Sequence, residues 1–416
     1  MMSPCVLLLL TPKTYRARPF IEAADRLGIE VVKAVDMPPK LAEFWNEPLG
    51  VDFNDPETAT RALVDFAAGQ PLDAIIAVDD SGSLLAARAS GALGLPHNSP
   101  EAAEAARDKH IMRLLLARGG VQVPPFRRCS TADDPRTLAA QVEYPCVVKP
   151  LRLSGSRGVI RADDPDQFVA AVARLTGLLN ALEPAPGSSA FLVERFIPGF
   201  EVALEGVLDR GRLRVLALFD KPDPLDGPFF EETIYVTPSR LPAPVQAAIA
   251  ACASDAAAAL GLREGPVHAE LRINQEGPWL VEVAGRSIGG LCSKTLRFGT
   301  DVSLEELILR QACGMDIQSL SREQAAGGVM MIPIPEAGIL RSVAGVEEAA
   351  AVPGVEEIDI TAQLHYPLVP LPEGDSYLGF IFARGSTPAD VEAALREAHR
   401  RLRFDIEPGI LLTMTS

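Results

Sequence analysis

The chain has 416 residues, which is enough for roughly two or three domains that each bury a core of their own. Its formal net charge of −16 argues against nucleic acid or an anionic membrane as a general partner, because both are bound by basic surfaces. The 6 cysteines are scattered without a C-x-x-C pair, which predicts free thiols in a reducing compartment rather than a zinc site or disulfides. The apolar run Val6–Leu10 is too short for a signal peptide or a membrane span, so we expect a first β-strand and a cytoplasmic protein.

Residues 1–98 alternate between strand and helix patterns, which predicts an α/β domain with a parallel sheet. The expected strands are Val6–Leu10, Glu30–Val35 and Ala74–Val78, and the expected helices are Pro19–Leu27, Thr58–Ala68 and Ser83–Leu93. Asp79 and Asp80 directly follow the third strand, where open α/β sheets bind ligands. Acidic residues are also common in ordinary turns, and the residues alone favour that simpler interpretation.

The second region begins at Ser99, a helix N-cap followed by proline at the first helical position. From about residue 127 to 205 the pattern predicts strands, two helices and a glycine-containing loop, with an exposed turn at Ala185–Ser189. Strand patterns dominate residues 206–290, apart from an alanine-rich helix at Pro244–Leu260. From about residue 328 strands and helices alternate again, ending with the helix Pro388–Arg401 and a last strand.

A loop after an apolar strand is the first candidate for binding phosphates. Lys149 ends the strand, and Ser154-Gly155-Ser156-Arg157-Gly158 follows. Glycine lets the backbone approach a ligand closely, and the hydroxyl and N–H groups can donate to phosphate oxygens. The Walker A pattern is absent, and a plain hairpin turn explains the segment equally well on its own.

The segment Phe191–Glu201 reads as an apolar strand, a polar crossing and the start of a second strand. An adenine ring needs an apolar slot with backbone donors and acceptors at its edge. Phe196 and Ile197 are candidates for that slot, and Glu201 is a candidate for holding the ribose hydroxyls. A β-hairpin with a surface glutamate is the simpler alternative for this segment in isolation.

A weaker signal lies further along the chain. Lys221 follows a strand end, and Glu231 and Glu232 follow a Gly-Pro loop. These groups are candidates for meeting a substrate carboxylate or amine, and a solvated loop is the alternative that the residues alone favour.

Two strands joined by a Glu-Gly-Pro turn span His268–Arg286. Because alternate side chains of a strand share a face, a hairpin would place Glu270 and Glu282 on one side together with a guanidinium. Carboxylate oxygens suit Mg²⁺, which proteins usually hold with one or two carboxylates plus substrate phosphates. The segment therefore indicates a Mg-nucleotide site, with a solvated hairpin carrying a surface Glu–Arg pair as the alternative.

The order of these motifs is more specific than any one of them. Lys109, Lys149, the glycine loop, Val-Glu-x-Phe-Ile-x-Gly-x-Glu and Glu…Glu-x-x-x-Arg together resemble the ATP-grasp superfamily over residues 1–315. The stretches 220–239 and 330–383 look like the bacterial L-amino-acid ligases and extend the resemblance to the whole chain. The motifs in 330–383 indicate a branch of the superfamily and carry no chemistry that the residues reveal.

The resemblance implies an α/β (α+β) ATP-grasp fold in three parts. Residues 1–98 would form a Rossmann-like domain, and residues 99–315 the nucleotide-binding and catalytic domain. A small lid subdomain would span about 127–205 within it, and residues 316–416 would form a C-terminal α/β lid domain. That C-terminal domain also offers a surface for pairing two subunits, so a homodimer is one expected assembly.

The resemblance also implies roles for the nucleotide-binding residues. Lys109 and Lys149 would contact the phosphates of ATP, and a mobile loop would close over them. The loop residues are Ser154, Gly155, Ser156 and Gly158. Glu194 and Ile197 would present backbone groups to adenine beside Phe196, and Glu201 would bind ribose.

The catalytic roles follow from the same resemblance. Glu270 and Glu282 would ligate Mg²⁺, with Mn²⁺ as the alternative ion, and Arg286 would stabilise the transferring phosphoryl group. Many relatives carry asparagine two residues after the second glutamate, where this chain has Ala284, so the number of metal ions is open. The amine must arrive unprotonated, which makes Glu232 and His268 the candidate bases. A structural role is equally consistent with His268.

These assignments predict an ATP-dependent ligase that joins a small carboxylate, an amino acid above all, to an amine through an acyl phosphate, releasing ADP and phosphate. Its partners would be small molecules. One alternative is a ligase or carboxylating enzyme for another kind of acid. Another, from a different class, is an ATP-binding regulator or scaffold without ligase activity.

Overall fold

The computed structural model describes residues 3–182 and 189–408. The turn expected at Ala185–Ser189 lies outside the described residues apart from Ser189. Within the described ranges, helices and strands are mixed throughout the chain, which confirms the predicted α/β (α+β) class. All 6 cysteines are free, as the sequence predicts.

The first unit is a parallel sheet with the strand order β3-β2-β1-β4. Its strands are β1 Cys5–Leu10, β2 Glu30–Asp36, β3 Leu49–Val51 and β4 Ala74–Ala77. Its helices are α1 Ala17–Leu27, α2 Pro39–Phe44, α3 Pro56–Gly69 and α4 Ser83–Leu93. All six residues of β1 are buried, because helices cover both faces of a parallel sheet. The predicted parallel α/β domain is therefore present, with β3 and α2 as additions.

Two helices, α5 Pro100–Ala105 and α6 Lys109–Arg118, connect this unit to a small antiparallel sheet. Its strand order is β5-β8-β6-β7, built from β5 Phe126–Ser130, β6 Cys146–Pro150, β7 Ile160–Ala162 and β8 Ala190–Arg195. Its helices are α7 Pro135–Ala139 and α8 Pro165–Leu182. We call this unit the lid. It ends with β8, about ten residues before the predicted boundary at 205, because the next strand pairs with another sheet.

An eight-stranded sheet with the order β13-β12-β9-β10-β11-β16-β20-β18 forms the body of the molecule. Its first strands are β9 Phe200–Asp209, β10 Arg212–Asp220, β11 Ile234–Thr237, β12 Gly265–Asn274 and β13 Gly277–Ala284. The others, β16 Ala326–Ile332, β18 Val355–Asp359 and β20 Gly379–Gly385, come from the C-terminal quarter of the chain. The predicted boundary at residue 316 therefore falls inside one continuous sheet, joined where β11 pairs with β16.

The remaining elements pack on this sheet or beside it. The helices are α9 Ala243–Leu260, α10 Leu304–Ala312, α11 Val346–Ala350 and α12 Pro388–Arg401. The short strands β14 Arg297–Phe298 and β15 Val302–Ser303 form a ribbon, and β17 Gly338–Ala344, β19 Pro367–Leu368 and β21 Arg403–Pro408 form a three-stranded sheet.

The helix α9 is long and apolar enough to pass a test for a membrane span by length and composition. In the structure one face of α9 is buried in a core cluster with strands β12 and β13 and helix α6. Helices in the core of soluble proteins share this length and apolar composition.

Candidate active site

A cavity of about 560 Å³ lies where the first unit, the lid and the eight-stranded sheet meet, and we call it the cleft. Every residue to which the resemblance gives a role lines this cleft, with the exception of Gly158. Of the weaker candidates further along the chain, Glu232 lines the cleft and Lys221 and Glu231 do not. Gly158 has φ +71°, and its N–H donates to Pro372 O at 2.8 Å. A Cβ there would press on Leu175 and Leu178 of α8. Gly158 therefore anchors the glycine loop from behind in this structure, and its part in nucleotide binding stays a prediction.

One end of the cleft has the apolar character that an adenine ring requires. Phe196 packs with Val147, Val159 and Phe230. Two guanidinium groups stack on the faces of its ring, one of them that of Arg161 at 4.1 Å from the centroid. Phe196 therefore lies in an apolar part of the cleft, and its use as an adenine slot stays a prediction.

The resemblance gives a role only to the backbone of Glu194, and the structure places its side chain in a buried ion cluster. Its carboxylate lies 2.5 Å from Arg113 Nε and 2.7 Å from Lys149 Nζ, and its side chain is 2% exposed. Burial alone would raise the pKa of Glu194, but these two cations outweigh it and lower that pKa to about 2. The carboxylate thereby fixes the lysine at the cleft wall.

Lys109 and Lys149 reach the cleft from different elements. Lys109 is the first residue of α6, whose N-cap is Asp108, and its Nζ lies 3.3 Å from Glu282 and 2.8 Å from Leu153 O. Lys149 comes from β6 of the lid. The glycine loop between β6 and β7 lines the space between them. Two ammonium groups that converge on one cavity form a site for an anion.

The hairpin predicted from the sequence is present as β12 and β13. Glu270 lies directly opposite Glu282 in the antiparallel register, with a bulge immediately after it. Both side chains are partly exposed, by 20% and 32%, and both line the cleft. Two opposed carboxylates beside an anion site fit a divalent cation bound together with phosphates. Ala284 also lines the cleft and offers no ligand atom, in line with its departure from the asparagine of many relatives.

Lys221 lies among three carboxylates, and its side chain is only 3% exposed. Its Nζ is 2.9 Å from Glu201 and 3.5 Å from Glu270, and it also donates to Glu232. Glu201 accepts a second bond from Arg272 at 2.9 Å, so both of its oxygens face cations. The solvated loop that the sequence favoured for Lys221 is therefore wrong. The ammonium neutralises a cluster that would otherwise hold like charges close together.

Glu232 is the carboxylate of this cluster whose pKa is raised. Burial and the nearby Glu270 raise its pKa, Lys221 and the hydrogen bonds to Glu232 oppose the increase, and the resulting pKa is about 7. Its Oε1 also accepts a hydrogen bond from Tyr235 at 2.7 Å. A carboxylate with a pKa near neutrality suits exchange of a proton with an amine.

His268 is held between two carboxylates. Its Nδ1 lies 3.1 Å from Glu205 and its Nε2 lies 3.4 Å from Glu270. Burial would lower the pKa of His268, but the two hydrogen bonds outweigh it and raise that pKa to about 9. An imidazolium cannot accept a proton, so the geometry favours the structural role that the sequence left open. Glu232 then remains the predicted base.

The first unit contributes more to the cleft than the residues alone suggested. Asp80 Oδ2 accepts from Arg286 Nε at 2.8 Å, and Asp79 lies 3.7 Å from Arg16. Both aspartates line the cleft. The interpretation of Asp79 and Asp80 as ordinary turn residues is therefore wrong. The rule that ligands bind beyond the carboxyl ends of parallel strands was the available signal.

Three further residues at the cleft escaped sequence reasoning. Arg107 lines it, and within residues 3–182 and 189–408 its guanidinium forms no ion pair. Asp375 and Tyr377 reach the cleft from the C-terminal part of the chain. The position of Arg107 two residues before Lys109 could have placed it at the cleft. Nothing in the sequence indicates that Asp375 or Tyr377 lines the cleft.

Comparison with known proteins places these features in a family. The ATP-grasp N-terminal domain model matches residues 21–97, the ATP-grasp domain model residues 142–295, and the L-amino acid ligase C-terminal domain 2 model residues 330–407. The chain is 26% identical to a crystal structure of an L-amino acid ligase from Bacillus licheniformis, with a TM-score of 0.78 over 98% of this chain and 100% of that one.

Two curated relatives extend the comparison. Alanine–anticapsin ligase of Bacillus subtilis is 27% identical over 70% of this chain and 65% of its own length. Carnosine synthase 1 of Gallus gallus is 32% identical over 69% of this chain and 32% of its own length. The chain thus spans less than two thirds of either relative. The matched domains and the structural likeness over nearly the whole chain show that it belongs to the ATP-grasp superfamily and carries the C-terminal domain of the L-amino acid ligases.

Proposed function

We propose that the protein is an ATP-dependent carboxylate–amine ligase that forms an amide bond and releases ADP and phosphate. Its acid substrate would be a small carboxylate, an amino acid above all, activated as an acyl phosphate. The observation that carries the proposal is the convergence of Lys109, Lys149, Arg286 and the opposed pair Glu270–Glu282 on one cleft. The match to the C-terminal domain of the L-amino acid ligases supports the choice of acid.

The cationic side chains answer the main obstacle to this reaction. A carboxylate that attacks the γ-phosphate is an anion approaching an anion, so fixed positive charge must offset the repulsion. Lys109 and Lys149 are held by carboxylates at the cleft wall, and Arg286 is fixed by Asp80. Mg²⁺, held by Glu270 and Glu282, would supply further positive charge at the phosphates.

The part of the cleft away from the adenine slot fits an amino acid. Tyr15, Tyr235 and Tyr377 line it together with Cys292 and Met331, which provides room for an apolar side chain. Glu232 can hold or deprotonate an ammonium group, and arginines nearby can hold a carboxylate. The ammonium and the carboxylate of an amino acid would therefore each have an oppositely charged side chain nearby.

The test is release of ADP and phosphate with Mg²⁺ across pairs of amino acids, with product detected by mass. We expect release that requires both an acid and an amine and yields an amide. Release with other carboxylates or bicarbonate alone would favour the alternative acids. Binding of MgATP without turnover on any pair would favour a regulator instead. We also place the reaction in the cytoplasm, which agrees with the free thiols.

Replacing Arg107 with Met should raise the KM for the acid about 10- to 100-fold, since a hydrogen bond to a charged group contributes roughly 1.5–3 kcal/mol. Arg107 forms no ion pair among the described residues, so a substrate carboxylate is a suitable partner. The KM for ATP should change little. Arg88→Met on α4, an exposed position, is the control and should leave both constants unchanged. A rise confined to the KM for ATP would contradict this role.

A further inference from the structure

A short C-terminal segment, Pro372–Asp375, lies against the glycine loop of the lid. The Gly158 N–H donates to Pro372 O at 2.8 Å, and Arg157 Nε donates to Glu373 O at 2.7 Å. Arg157 Nη1 also lies 3.4 Å from Asp375 Oδ2. These contacts tie the loop that lines the phosphate end of the cleft to a part of the chain more than two hundred residues away.

A second attachment joins the same segment to the lid helix α8. Arg174 donates from Nε and Nη2 to the two carboxylate oxygens of Glu373, at 2.5 and 2.8 Å. The Arg174 guanidinium also stacks on the Phe229 ring, 4.9 Å from its centroid. A bidentate, stacked arginine is held in one geometry, which a lone surface charge is not. We call these two attachments the clasp.

The segment is itself a tight turn and is suited to hold a fixed position. The Gly374 N–H donates to Pro370 O at 2.9 Å, and a Cβ at Gly374 would lie 1.8 Å from Val369 O. Immediately beyond this turn, Asp375 and Tyr377 line the cleft. The clasp therefore connects the lid, the glycine loop and the cleft wall through one rigid turn.

We propose that Glu373 and Arg174 are positioning residues that hold the glycine loop closed over the nucleotide while the activated acid awaits the amine. Neither side chain lines the cleft, so each acts only through the loop and the turn. An acyl phosphate hydrolyses when water reaches it, and a closed loop excludes water. The protection of an acyl phosphate by the clasp rests on the ligase reaction proposed above. The restraint that the clasp places on the glycine loop does not depend on that reaction.

The first test measures phosphate released per amide formed in Glu373→Arg and Arg174→Glu. Every amide accounts for one phosphate, so loss of acyl phosphate to water appears as phosphate in excess of amide. Each single change places like charges together, and we expect this excess to rise about three- to fivefold, as for the loss of a well-ordered ion pair. The double variant R174E/E373R restores opposite charges and should return the excess to within about twofold of that of the original protein. Glu407→Arg, which breaks an exposed pair with Arg341 away from the lid, should not change the ratio.

The second test uses amide hydrogen exchange of residues 154–158 without substrates. We expect faster exchange in E373R and recovery in the double variant. Hydrogen exchange tests whether the clasp holds the glycine loop even if no ligase activity is found. The unfolding midpoint of each variant shows whether the substitution has caused a general loss of structure. Unchanged exchange and an unchanged ratio in both single variants, or a double variant no better than the worse single one, would overturn the proposal.

Discussion

Changing Glu282 to Gln should reduce the turnover number by a factor on the order of 10³, the scale at which charge stabilisation contributes to phosphoryl transfer. The substitution keeps the size of the side chain and removes its charge. Glu282 lies directly opposite Glu270 and 3.3 Å from Lys109 Nζ, so the change weakens the metal site and frees the lysine. The turnover number for ADP release at saturating Mg²⁺ measures the loss, and ATP binding, measured separately, should survive in weaker form.

The same hairpin offers a matched control for this substitution. Glu276 lies in the turn between the two strands and is exposed, so Glu276→Gln removes a charge of the same kind without reaching the cleft. That variant should retain full turnover. Equal activity in E282Q and E276Q would contradict the assignment of Glu282 to the metal.

The hairpin was predictable because its information is local. Alternating residues and a Glu-Gly-Pro turn set which side chains share a face, and the register places Glu270 opposite Glu282. The parallel sheet of the first unit follows from alternating strands and helices in the same way. The apolar slot at Phe196 and Ile197 was likewise indicated by the character of these residues and their neighbours along the chain.

The ion pairs around the cleft could not be read from the sequence, because they depend on packing between distant elements. Lys221 meets Glu201 across 20 residues and Arg286 meets Asp80 across 206. The lid boundary was misplaced for a related reason, since only pairing with β10 and β12 shows that β9 belongs to the large sheet. The pairing of β11 with β16, which joins residue 234 to residue 330, has no local signature either.

Arg113 also forms an ion pair with a distant element that the sequence does not reveal. Replacing Arg113 with Met should lower the free energy of unfolding by about 3–5 kcal/mol, as for other broken buried ion pairs. Its side chain is 1% exposed, and it donates to both oxygens of Glu194 and to Val281 O. Met leaves the buried carboxylate with Lys149 as its remaining cation. Denaturant unfolding at neutral pH measures the loss, and Arg118→Met, exposed at the end of the same helix, should cost no more than about 0.5 kcal/mol.

The dependence of this loss on pH separates the charge of Arg113 from its packing. The folded pKa of Glu194 is lowered to about 2 from 4.5, so its ion pairs stabilise the fold above pH 4.5 and lose that effect as the pH falls towards 2. The difference between the original protein and Arg113→Met should therefore shrink over that range. A loss that is constant with pH would mean that packing, and not the ion cluster, makes Arg113 necessary.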